Sequence, residues 1–116
     1  MVHFDGALFD GDPEFLAEIV NLFLATCPEL LSNVEVAVAR QDANAICRAA
    51  HTLKGAVANF GAEAAVEQAR KLEMMGKNGD LSHAGDAWRS LRSLVEALQP
   101  ELQAALEKAT EKQVST

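Results

Sequence analysis

Two cysteines in 116 residues are too few for a disulfide scaffold, and Cys27 and Cys47 read as reduced thiols. No apolar run approaches the roughly 18 residues of a membrane span, and the start lacks the basic flank and apolar region of a signal peptide. The cytoplasm is the expected location, with no membrane contact. There is no phosphate-cradling glycine loop and no kinase signature, so the chain should not use ATP itself. Basic residues are also scarce: 10 Lys and Arg stand against 17 Asp and Glu, and the net charge of −7 argues against a nucleic-acid binder. Strand patterns, internal repeats and low-complexity segments are absent as well. What is present is a 49% hydrophobic chain long enough for one core, expected as a single domain with its core at about 12–109 and a frayed polar tail at 110–116.

The apolar residues recur with helical spacing throughout. Residues 1–11 carry Phe4, Leu8 and Phe9 and read as a lead-in that lays apolar side chains on the rest. Asp12 then serves as N-cap, with Pro13 at the first helical position and Glu14 in the first turn. That helix should run to about Thr26, burying Phe15, Ile19, Leu22 and Phe23, with Leu16, Val20 and Leu24 widening the stripe. Pro28 should end it and open a second segment, whose apolar face is Leu30, Leu31, Val34, Ala37 and Val38 and which closes near Gln41. Asp42 repeats the cap, and Gly61 provides the left-handed residue of the next turn. A helix at 62–77 follows, with Val66, Ala69, Leu72 and Met75 or Gly76 inward. A loop at 76–79 and a third cap at Asp80 then lead to the last helix, marked by Trp88, Leu91, Val95 and Leu98. Pro100 interrupts this pattern, yet Leu102, Ala105, Leu106 and Ala109 resume it, so a kink or short break is expected at Gln99. The fold class is all-α: an antiparallel four-helix bundle with a short N-terminal lead-in and a Pro-kinked last helix.

One helix carries the chemistry. At about 100° per residue, Ile46, Ala49, Ala50, Leu53, Val57 and Phe60 share a face, and His51 points nearly the opposite way, toward water. Cys47, Arg48, Lys54, Gly55 and Ala58 surround it on that outer face. A glycine inside a helix costs about 1 kcal/mol relative to alanine, so Gly55 signals a place where a side chain is unwelcome and a second surface can come close. Lys54, one turn from His51, holds a compact charge where an anion on the ring would sit. If the helices on either side of Gly61 form a hairpin, Glu73 lies as far from the turn as His51 does and can meet it. The combination points to a histidine that carries a phosphoryl group and is approached by partners.

His51-Thr52-Leu53-Lys54-Gly55 followed by Gly61-Ala62 resembles the signature of histidine-containing phosphotransfer (HPt) domains of bacterial two-component phosphorelays. Phe4-Asp5, Asp12-Pro13-Glu14-Phe15-Leu16 and Pro28-Glu29-Leu30-Leu31 also resemble such domains when fused to hybrid sensor histidine kinases. The resemblance implies that His51 is the phosphoacceptor and that a Glu or Gln at the distance of Glu73 bonds the ring and orients it. It implies response-regulator receiver domains and a hybrid sensor histidine kinase as partners, with Mg²⁺ on the receiver rather than here. Lys54 then stabilises phosphoryl charge, and Gly55, Arg48, Arg70 and Lys77 form a binding rim for an acidic pocket. A monomer is expected. Two other readings stand beside this one: a helical adaptor that binds receiver or kinase domains without being phosphorylated, and a metal-binding bundle using Cys47, His51 and Glu73. His3 and His83 read as solvated, and Met74 and Met75 as partial core filling.

Overall fold

A computed structural model describes residues 13–114, so Asp12 and the lead-in carrying Phe4, Leu8 and Phe9 lie outside the described residues. Four helices make up this part of the chain: α1 (Pro13–Ala39), α2 (Ala43–Ala58), α3 (Glu63–Asn78) and α4 (Ala84–Val114). No strand occurs among the described residues. Each helix contributes one stripe to a shared core, with Val20, Phe23, Cys27 and Val34 facing Ile46, Leu53, Val57, Leu72, Leu91, Val95 and Leu98. Phe23 meets Phe60 edge to face, with ring centroids 5.2 Å apart.

Pro28 does not divide the first helix. The two segments expected on either side of it form one helix of 27 residues. The proline ring stands on the exposed side, while Cys27 and Val34 carry the buried stripe past it. Burying such side chains stabilises by about 1.5–3 kcal/mol each, enough together to outweigh the roughly 3 kcal/mol that an internal proline costs. Joining the segments also rotates the seam. Val20, Phe23, Cys27 and Val34 lie on one continuous face, whereas Phe15 and Leu22, expected inside, are 48% and 63% exposed.

Pro100 likewise lies inside α4, and no break falls at Gln99, because Leu98 and Leu102 are both fully buried on either side. The expected frayed tail is helical as far as Val114. Helix α1 contains a window of mean hydropathy 1.4, long and apolar enough by composition to cross a membrane, contrary to the expectation that no run approaches that length. Here its buried stripe packs on α2 and α4.

The turns are local chemistry. Asp42 caps α2 by accepting the Ala45 N–H at 3.1 Å, as its sequence position suggests. Before it, Gln41 takes a left-handed φ of 53°, and the Asp42 N–H reaches back to the Ala37 carbonyl at 3.1 Å, closing α1 in a Schellman arrangement without a glycine. Gly61, at φ 65°, forms the turn between α2 and α3. The expected loop at 76–79 is instead the last turn of α3, capped by left-handed Gly79. Asp80 does not cap α4; it accepts hydrogen bonds from the Ser82 N–H and hydroxyl ahead of the helix.

Candidate functional site

The short α2–α3 connection sets a register between two helices of 16 residues each. Near the start of α2, Gly76 of α3 approaches so closely that a Cβ on it would stand 2.7 Å from both the Ala43 carbonyl oxygen and the Cys47 amide nitrogen. One turn further along α2, and one turn back along α3, His51 meets Glu73. Residue numbers rise along one helix as they fall along the other. Cys47, expected on the outer face, is half-buried beside this close approach.

The His51 side chain is 67% exposed and the Glu73 side chain only 8%. His51 Nδ1 lies 3.0 Å from Glu73 Oε2, and Lys54 donates from Nζ to Glu73 Oε1 at 2.6 Å. Lys77 Nζ stands 4.0 Å from Oε2. The Lys54 hydrogen bond holds the Glu73 carboxyl below the usual carboxylate range, and the His51 bond adds to it against the upward push of burial. Glu73 is therefore an anion near neutral pH and can only accept. The proton in the His51 bond belongs to Nδ1, which leaves the lone pair of a neutral ring on Nε2.

Four of the seven residues singled out from sequence come together here: His51, Lys54, Glu73 and Lys77. Gly55 is exposed with nothing within 4 Å of where its Cβ would stand, so the surface one turn from the ring is open. Arg48 is exposed one turn before His51. Arg70 turns aside and pairs with Glu67 through Nε at 3.0 Å. Among the described residues no group of three potential metal ligands is assembled. Gly76 was missed as a determinant of the site, although a glycine on an apolar helix seam is the signal of a close approach.

A helical bundle that presents a tautomer-fixed imidazole to solvent, backed by a buried carboxylate and ringed by lysines, defines a class of proteins able to offer a nucleophilic nitrogen to another molecule. Residues 18–112 match the family model described as Hpt domain, and the chain belongs to that family. Its members are phosphocarriers of phosphorelays, not kinases, and they interact with response-regulator receiver domains and kinases. No match was found among curated proteins or among solved structures.

Proposed function

We propose that His51 is the phosphoacceptor of this chain, taking a phosphoryl group from the aspartyl phosphate of one receiver domain and passing it to another. The observation that carries this reading is the exposed imidazole held through Nδ1 by a buried, ionised Glu73. The Nε2 lone pair attacks phosphorus, the bond from phosphorus to the aspartyl oxygen breaks, and the carboxylate leaves. The ring, now carrying phosphoryl on Nε2 and hydrogen on Nδ1, gains positive charge that Glu73 stabilises. The loose transition state spreads charge over the outer oxygens, so alignment and nearby cations do most of the work. Lys54 supplies one: its ammonium has three donors, of which Glu73 takes one. Gly55 keeps the approach open, while Arg48 and Lys77 add positive charge to the rim. Magnesium belongs to the receiver in this scheme, and the domain works as a cytoplasmic monomer.

The test is phosphotransfer from radiolabelled phospho-receivers to wild type and to His51→Gln. Acid-labile, alkali-stable label on wild type and none on the variant is expected. Equal labelling of both would place the chemistry elsewhere, and binding without labelling would favour an adaptor.

A further inference from the structure

Glu73 has one more cation within reach than it uses at rest. Lys54 Nζ donates to Oε1 at 2.6 Å and His51 Nδ1 donates to Oε2 at 3.0 Å, while Lys77 Nζ stands 4.0 Å from Oε2, at the edge of an ion pair and beyond a hydrogen bond. The two lysines differ in freedom. The Lys54 side chain is 27% exposed and the Lys77 side chain 55%, so the second ammonium is the more solvated and has room to move. Its place in the chain directs it toward the carboxylate: Lys77 lies one turn after Glu73 on α3, the favourable order for a helical Glu–Lys pair.

Phosphoryl transfer would disturb this arrangement. The phosphoryl group forms on Nε2, across the ring from the nitrogen that faces Glu73. An ammonium on Lys54 that turns toward oxygens on that side loosens its bond to Oε1. The Glu73 side chain is only 8% exposed, and a carboxylate so deeply buried is costly to leave short of donors. We infer that Lys77 is a positioning residue held in reserve, closing on Glu73 as Lys54 turns to the phosphoryl group. The carboxylate then keeps an ammonium throughout and goes on holding the imidazole. The inference rests on the phosphocarrier reading and gives Lys77 a role beyond rim charge, exerted through Glu73 rather than on phosphorus. The exchange makes and breaks only hydrogen bonds, and no proton changes hands. A lysine that only supported the last turn of α3, or only attracted an anionic donor, would act alike with or without Lys54.

The experiment is a double-mutant cycle on Lys54 and Lys77, read in two ways. The first is labelling by phosphoramidate, a small donor whose phosphorus–nitrogen bond breaks as the phosphoryl group passes to the imidazole and ammonia leaves. Lys77→Gln should slow labelling by about tenfold beside an intact Lys54, the range of one charge-assisted hydrogen bond. In the Lys54→Gln background, where no ammonium leaves Glu73 during transfer, it should slow labelling by at most about twofold. The second is urea titration, in which the order reverses. Lys77→Gln should leave the midpoint near wild type beside an intact Lys54 and lower it in the Lys54→Gln background, where Lys77 is the ammonium left to the buried carboxylate. Lys77→Arg, which keeps the cation, should restore most of the labelling rate. Equal slowing in the two backgrounds, or none in either, would overturn the exchange, and so would equal midpoint shifts. Phosphoramidate labelling of His51→Gln at the wild-type level would instead overturn the phosphocarrier reading.

Discussion

The α2–α3 pair and the α1–α4 pair use the same helical geometry for different purposes. Along α2 and α3 the helices are short, glycine brings the backbones together, and a charged side chain is buried between them. Along α1 and α4 the helices are long, two prolines are absorbed, and the inward residues are mostly apolar, with Gln99 donating to the Cys27 thiol at 3.2 Å and one carboxylate oxygen of Glu101 buried. Burial pushes that thiol's pKa up, so Cys27 packs as a small apolar group. One pair gives up packing economy to hold a polar constellation in place, and the other stabilises the whole. Stability and chemistry should therefore separate under mutation.

The strongest break in that separation would come from the scaffold side. Leu98→Ala on α4 removes a fully buried side chain and should lower unfolding free energy by about 2–5 kcal/mol in urea titration, while phosphotransfer per folded molecule stays near wild type. A parallel loss of transfer would mean that the two halves are not independent. Glu73→Ala should do the reverse in kind, reducing transfer by about 100-fold as the Nδ1 acceptor disappears, with Glu73→Gln keeping more because an amide oxygen still accepts.

The same carboxylate predicts a pH signature. Its folded-state pKa is depressed, so its contribution to stability is present above the unfolded value of about 4.3 and disappears as pH falls through the lower folded value. Urea midpoints of wild type and Glu73→Gln should converge below pH 4 and diverge above it. A constant gap across that range would deny the link.

The two helix-interior glycines sharpen the comparison further. Gly76→Ala sets a Cβ against rigid backbone and should cost about 1–3 kcal/mol while also slowing transfer, since α3 must move relative to α2. Gly55→Ala meets open space and should stabilise by up to about 1 kcal/mol in thermal melts. If both proved neutral, the close approach at Gly76 would not be what sets the His51–Glu73 distance.

How much of this was legible beforehand depended on distance from a turn. His51 and Glu73 flank a connection fixed by Gly61, so counting residues from that turn was enough to bring them together. The outward direction of His51 followed from a single helix with a clean stripe. The α1 seam was misplaced because Pro28 was read as a boundary; only the neighbouring helices, by burying Cys27 and Val34, decide that the helix runs through. Lys54 was placed near the ring, but its hydrogen bond to Glu73 depends on side-chain reach between helices, which periodicity does not encode.

The lengths of the helices carry a practical consequence. Cys27 meets Gln99 and Glu35 meets Arg92, so α1 begins at the same pole of the 54 Å molecule at which α4 ends. Phe23 already touches Phe60 at the α2–α3 turn, and the ten residues of α1 before it extend roughly 15 Å further from the imidazole. A linker, fluorophore or surface attachment joined at this pole leaves the face that carries His51 unobstructed. The bundle can thus be held at one end and read at the other, and tether length alone would set the local concentration at which an immobilised receiver meets His51.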